Sequence, residues 1–381
     1  MVLVKDNRWS NYFMSHGPDF DSFWDGYLGR SERNLMFVLG HGFDPRMCHA
    51  ISLIFGKKGK GLRDCIALHY QDDSKLQPQH HADLLENNWA NLNEVVKKVG
   101  GNILKRGIKM QSKGKLRYAS ISAANVFDSL DQLSDYTDII IDVSAMPRGV
   151  YFPLIHKLLV LIDNAQEKVK PNPNLHIIVW EDQKLDSCIV DEGLEEKASY
   201  LHSFGAIELE TTKDMPIVWI PVLGEGQSEQ LEKIRAFINP NEVCPLLPFP
   251  SINPRRADAL IAEYHHFLFF GELSVEPRSI IYADERNPFQ AYREIRKTIN
   301  HYDRVMDIIG GCKVAISPIS SKLLSIGALL AAYESRKQGK LVGVTHVECH
   351  DYRIEGDVED LISAARGVPH EIWLAGECYE R

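Results

Sequence analysis

Three short patterns occur twice along this chain, in the same order and at nearly one separation, and a chain with that property is built from two copies of one folding unit. The first pattern is a buried-strand run, a glycine turn and an apolar-periodic helix: Leu35-Met36-Phe37-Val38-Leu39 leads into Gly40-His41-Gly42 and then Ile51, Leu53 and Ile54. Its second copy runs from Ile217 to Leu223, through Gly224-Glu225-Gly226, to Leu231, Ile234 and Ile238. The second pattern is Ala-Asp at the head of an amphipathic helix, after His80-His81 in one copy and Arg255-Arg256 in the other. Leu85, Trp89, Leu92 and Val96 share one face of the first helix, and Leu260, Tyr264, Phe267 and Leu268 one face of the second, the spacing of a stripe packed on a sheet. The third is a strand, a polar turn and a cation opening an apolar helix, Asp138 to Arg148 and Lys313 to Lys322. Matched positions lie 184 residues apart (Gly40 to Gly224), 175 (Ala82 to Ala257) and 174 (Arg148 to Lys322).

Strands that alternate with helices demand parallel pairing, because a parallel crossover travels through a helix. The expected fold is therefore α/β: two tandem Rossmann-like, parallel-sheet domains arising by internal duplication, over residues 33–205 and 206–381, with the join in the polar stretch from Glu192 to Asp214. Residues 1–32 form an aromatic-rich extension ahead of the first copy. Its Trp9, Tyr12, Phe13, Phe20, Phe23 and Trp24 are expected to pack on the first domain, with docking of a protein partner as the competing reading.

A length of 381 residues suits two cores of ordinary size. The formal charge of −9 argues against a sequence-wide nucleic-acid or anionic-membrane surface, although a local basic pocket is compatible with it. The seven cysteines are scattered and form no C-x-x-C pair, which points away from a disulfide framework or structural zinc and toward the cytoplasm. The N-terminus lacks the pattern of a signal peptide, and no run reaches the ~20 apolar residues of a membrane span.

In open α/β sheets ligands bind beyond the carboxyl ends of the strands, where helix N-termini offer backbone N–H groups to anions. Gly40, Gly42, Gly224 and Gly226 stand at such positions, as anion-binding turns or as plain strand-to-helix turns. Pro45 and Glu229 occupy the places of the third glycine in G-x-G-x-x-G, so no nicotinamide dinucleotide, and no other cofactor, is expected beyond a nucleotide-like ligand. Asp44 and Arg46 fall in the mouth of the first turn. Phe43-Asp44-Pro45-Arg46 resembles the opening of nucleotidyltransferases, but the H-x-G-H that follows there is missing, with His49 alone nearby, and that family is set aside. Ser144 with Arg148, and Ser320 and Ser321 with Lys322, put hydroxyls and a cation at a helix start, a set that suits phosphate and equally a plain cap. Arg255 adds a guanidinium before the second repeat helix, and Asp284 stands after a strand, either to meet ribose hydroxyls or to cap a helix. His346, Glu348 and His350 alternate along a strand without a fourth ligand, so no metal site is expected. Cys48, Cys312 and Ser144 lack any nucleophile-elbow frame.

Ser320-Ser321-Lys322-Leu323-Leu324, followed by Gly327-Ala328-Leu329, resembles the lysine turn and small-residue helix of CARF domains, the Rossmann-like sensors of cyclic oligoadenylates. Two such units in one chain are similar to the SAVED sensors of bacterial antiphage systems. The resemblance implies a cyclic oligonucleotide held across paired halves, with Lys322 and then Arg148 near its phosphates. The diagnostic glycines differ here, and no effector domain accompanies the pair.

The leading expectation is a nucleotide-ligand binding sensor or regulatory protein with a small phosphorylated partner. The alternatives are a hydrolase or transferase acting on a nucleotide or phosphosugar, with His41, Asp44 and Asp142 as the catalytic candidates, and a scaffold docking through its N-terminal extension.

Overall fold

The computed structural model describes residues 7–71, 82–110, 118–165, 172–205, 212–270, 274–356 and 367–379. His80 and His81 lie outside them. The chain divides into two compact units, the first formed by residues 11–190 and 354–381, the second by residues 1–10 and 191–353.

In the first unit the chain runs β1 (Phe13–His16), α1 (Pro18–Arg30), β2 (Leu35–His41), α2 (His49–Phe55), β3 (Arg63–Gln71), α3 (Ala82–Lys98), β4 (Ile103–Lys109), α4 (Tyr118–Ala124), β5 (Asp138–Asp142), α5 (Arg148–Asp163), β6 (Asn174–Glu181) and α6 (Gln183–Cys188). β7 (Ile189–Leu194) leads out of it. The second unit holds β8 (Ser199–Tyr200), β9 (Ile217–Val222), α7 (Ser228–Ile238), β10 (Glu242–Val243), β11 (Leu246–Pro248), α8 (Arg256–Glu263), α9 (His265–Phe269), β12 (Ile281–Ala283), α10 (Pro288–Met306), β13 (Lys313–Pro318), α11 (Lys322–Lys337) and β14 (Val342–His346). β15 (Cys349–Ile354) returns the chain to the first unit, which β16 (Val368–Ala375) completes.

The first unit's sheet has the order β1-β16-β6-β5-β2-β3-β4, parallel from β6 to β4. The second unit's has the order β12-β11-β9-β13-β14-β8, parallel from β12 to β14, with β10 beside β9. Counting the parallel strands of each unit in chain order, both read third-second-first-fourth-fifth, the Rossmann-like order. The α/β, twice-built fold expected from the sequence therefore stands, with one refinement. Each sheet is mixed, because β16, β1 and β8 join antiparallel.

Hydrophobic patterning explains the core strands. Every residue of β2 is buried, as suits a strand covered on both faces, and β5, β9, β13 and β14 are buried almost throughout. α11 is apolar nearly all round and buries thirteen of its sixteen residues. Its Gly327 has a packing duty: a Cβ there would stand 2.4 Å from Pro288 O and 2.7 Å from Ala291 Cβ, so glycine lets α11 lie close against α10. Asn287 caps α10, its Oδ1 accepting from the Phe289 and Gln290 N–H groups, and Pro288 fills the first helical position.

The division of the chain differs from the expected 1–32, 33–205 and 206–381. β16 lies beside β6, so the last residues complete the first sheet. The N-terminal extension divides too. Phe20, Trp24 and Tyr27 of α1 enter the first unit's core with Phe37, Ile51, Phe55 and Leu92. Trp9 instead is fully buried in the second unit, edge-on to Tyr292 with ring centres 5.4 Å apart, while Asn7 Oδ1 accepts from Arg296 and the Arg8 N–H donates to Glu334.

The join between α1, β16 and the parallel sheet carries an ionic triad. His176 of β6, fully enclosed, has Nδ1 2.8 Å from Glu371 Oε1 and Nε2 3.4 Å from Asp138 Oδ1. Phe23, Trp24, Tyr27 and Trp373 surround the ring. Burial alone would depress the imidazole pKa, but the two carboxylates outweigh it and raise it, while His176, Thr137 and Tyr27 hold Asp138 low against its own burial. Among the described residues, no helix is long and apolar enough to cross a membrane.

Candidate functional site

In the first unit the strand order reverses between β2 and β5, and the loops leaving these strands meet there. The local chemistry begins with Asp44, whose side chain accepts from the Arg46 N–H at 2.9 Å and caps a 3-10 turn over Pro45–Cys48, with Pro45 at the first helical position. Arg46 folds back on the same carboxylate in bidentate fashion, Nε 3.0 Å from Oδ1 and Nη2 2.8 Å from Oδ2. Its Nη1 donates to Asp186 Oδ1 at 2.7 Å and to Trp180 O at 3.2 Å. Burial opposes this charge, and the two carboxylates more than offset it, so Arg46 stays a cation tied inside the protein.

Asp142, at the end of β5, is buried beside it. Its Oδ1 accepts from the Ser144 N–H at 2.9 Å and from Ser144 Oγ, an Asx turn, and Ser144 Oγ in turn accepts from the Trp180 N–H at 2.8 Å. Asp142 Oδ2 has no hydrogen-bond partner among the described residues. Desolvation pushes this carboxyl up to about 6, with Ser144 and Arg46 pulling it down and Asp44 adding to the rise. Three more enclosed atoms share that condition: Tyr70 Oη, His49 Nδ1 and Asp182 Oδ2. Tyr70 and His49, like Asp142, lie within electrostatic reach of Asp44, and His49 also within reach of Asp182. Burial raises the Tyr70 hydroxyl and lowers His49, which is therefore a neutral imidazole at pH 7. Buried polar atoms are nearly always paired; three of these four, on Asp142, Tyr70 and His49, gather near Asp44 and the fourth, on Asp182, near His49, which singles the cluster out as a candidate site.

Gly40 and Gly224 serve packing, whereas Gly226 takes a positive φ of 72° in open space. Neither Gly40 nor Gly42 has a positive φ. A Cβ on Gly40 would lie 2.2 Å from Tyr70 Oη and 3.1 Å from Ala145 O; one on Gly224 would lie 2.6 Å from Ile319 O. In each unit the glycine at the end of the first parallel strand or just past it admits the loop after the fourth, a shared duty that follows from the shared topology. His41 points elsewhere, its Nδ1 3.2 Å from His69 Nδ1 and its ring against Trp89. Burial, then His69 and Lys105, lower its pKa against the pull of Leu85 O. Burial pushes the Cys48 thiol up to about 12, which removes it as a nucleophile. Arg148 is the first residue of α5 and half-buried. An open groove of about 620 Å³ between α3 and β4 is lined by Trp89, Asn93, Lys97 and Lys105, and by none of the cluster residues.

The second unit fills the corresponding place with its own side chains. The Gly226 N–H donates to Glu263 Oε1 at 2.8 Å, the Gln227 N–H to Tyr264 Oη at 3.0 Å, and Tyr264 Oη to Gly224 O. Arg256 bridges Glu225 and Glu285, while Arg255 is exposed. Ser321 caps α11 through the Leu324 N–H, Lys322 is that helix's first residue, and Ser320 abuts Gly224, its Cα 2.9 Å from where a Cβ would stand. Asp284 Oδ1 accepts from the Arg286 N–H in a local turn. Ile316, buried and apolar, stands at the place of Asp142.

Of the residues singled out in the sequence, the structure thus brings Asp44, Arg46, Asp142 and Ser144 together in one cluster, sets Gly40 against it through Tyr70, and places His41 apart. His49, Tyr70, Trp180, Asp182 and Asp186 complete the cluster. Tyr70 and Trp180 end apolar strand runs, but nothing in the local sequence ties them, Asp182 or Asp186 to Asp142. Among the described residues no group of histidine, cysteine and carboxylate side chains is arranged to hold a metal ion.

No family model and no curated protein matches this sequence. Among solved structures, a universal stress protein from Archaeoglobus fulgidus is similar at 12% identity and a TM-score of 0.23, over 82% of this chain and 96% of that one. The cytoplasmic domain of a prokaryotic cation chloride cotransporter is similar at 11% identity and a TM-score of 0.21, over 83% and 95%. Superpositions that loose add nothing to the strand order, on which the fold assignment rests.

Proposed function

We propose that this chain binds a nucleotide-like small ligand through its first unit, at the carboxyl ends of β2, β5 and β6, and that the matching place in the second unit is filled by its own residues. The observation that carries the reading is the set of four enclosed, unpartnered polar atoms on Asp142, Tyr70, His49 and Asp182 at the strand-order reversal. The self-occupied turn at Gly226 supports its second half. Calorimetric titration of the full chain with linear and cyclic nucleotides tests the reading, with Asp142→Asn and Lys322→Ala as the discriminating variants. The expected result is binding that is weakened by Asp142→Asn and indifferent to Lys322→Ala. Preference for a cyclic oligonucleotide, with loss in Lys322→Ala, would instead support the sensor of antiphage systems that the sequence resemblance implies.

A second reading, catalysis on the bound ligand, is favoured by the Asp142 carboxyl, whose pKa near 6 suits proton transfer close to neutrality. Turnover that disappears in Asp142→Asn while ligand binding persists would establish it.

A further inference from the structure

We infer that the cluster of the first unit reads the hydroxyl groups of its ligand, the vicinal diol of a ribose or a related sugar, rather than its phosphate. This rests on the cluster being the ligand site. Charge disfavours phosphate at this spot: Asp44, Asp142 and Asp186 stand near Arg46, whose Nε, Nη1 and Nη2 already donate to Asp44, Asp186 and Trp180 O, and Asp182 stands near His49. An anion brought here meets these carboxylates, and the cation among them, Arg46, is already committed to its own partners.

Hydrogen-bonding capacity then separates a hydroxyl from an ammonium. Asp142 Oδ2 and Asp182 Oδ2 are acceptors when ionised, whereas Tyr70 Oη and the neutral His49 ring each donate or accept. An ammonium only donates. Two neighbouring hydroxyls, each able to donate once and accept twice, match a set of two acceptors and two groups of either kind, and a neutral diol is less costly to enclose than an ion.

Trp180 and Asp186 border the cluster: Ser144 Oγ accepts from the Trp180 N–H, the His49 ring packs edge-on to the Trp180 ring at 5.1 Å, and Arg46 donates to both Trp180 O and Asp186. The Asp186 side chain is the half-exposed member of its pair with Arg46.

The test is calorimetric titration of the full-length chain with adenosine 5′-monophosphate, 2′,3′-dideoxyadenosine 5′-monophosphate and ribose 5-phosphate, repeated on Asp142→Asn and Tyr70→Phe after their folding is checked by circular dichroism. The expected result is that the dideoxy compound binds at least about tenfold more weakly than the ribonucleotide, and that both variants lose a similar factor toward the ribonucleotide and nothing toward the dideoxy compound. Equal binding of the two nucleotides, or ribonucleotide binding unchanged in both variants, overturns diol recognition and leaves the nucleotide reading intact. Binding of ribose 5-phosphate without either nucleotide, lost in Asp142→Asn, upholds diol recognition and overturns the nucleotide reading. No binding of any of the three overturns both.

Discussion

Asp142 and His176 show how the same physics gives opposite outcomes at two buried charges. Asp142 keeps one oxygen unpartnered and its carboxyl is pushed up to about 6, above the ordinary aspartate range. The folded state then holds more protons than the unfolded one between about pH 4 and 6, so stability falls as pH rises through that window. Asp142→Asn is expected to raise stability at pH 7.5 by up to about 3 kcal/mol and to remove that fall, as read by thermal melts across pH. His176 is paired on both sides and its pKa is raised, so its contribution is complete below about pH 6.5 and is lost as pH rises through the folded value. His176→Gln is expected to cost about 3–5 kcal/mol at pH 6 and to flatten the wild-type decline above about pH 6.5 in denaturant melts. At this scale the sequence revealed Asp44, Arg46, Asp142 and Ser144, because each follows an apolar strand run. It concealed Tyr70, Asp182 and the Asp138–His176–Glu371 triad, because these meet across sheet neighbours far apart in the chain.

Elements carry the duplication. The glycine turns suggest anion binding in the sequence, and the structure gives Gly40 and Gly224 a mechanical duty, the close approach of the loop after the fourth parallel strand at Ala145 in one unit and Ile319 in the other. Gly224→Ala drives a Cβ toward a backbone carbonyl that a side-chain rotation cannot clear, and is expected to cost about 1–3 kcal/mol in chemical denaturation. Gly40→Ala meets Tyr70 Oη first, so adding Tyr70→Phe should recover part of its loss, whereas no single truncation should rescue Gly224→Ala. Parallel strands and helices were legible from periodicity and from the matched offsets. The antiparallel additions were not, because β16 and β1 read as short apolar segments whose register is set by partners remote in sequence.

The chain forms two units whose ends are not contiguous in sequence: among the described residues, 7–10 belong to the second and 354–356 and 367–379 to the first. A linear division of the sequence could not anticipate this, since nothing local distinguishes Trp9 from Trp24. Trp9→Ala removes a fully buried indole beside Tyr292 and is expected to cost about 3–5 kcal/mol, seen in hydrogen exchange as lost protection in α10 and α11 with β2 and β5 unaffected. The central claim is that the first unit encloses a ligand site built on Asp142. Mass spectrometry of small molecules released on denaturing the purified full-length protein tests it most directly. The account predicts a nucleotide or other sugar-bearing compound released from wild type and absent from Asp142→Asn; an empty wild-type protein, or the same compound released equally by both, would contradict it.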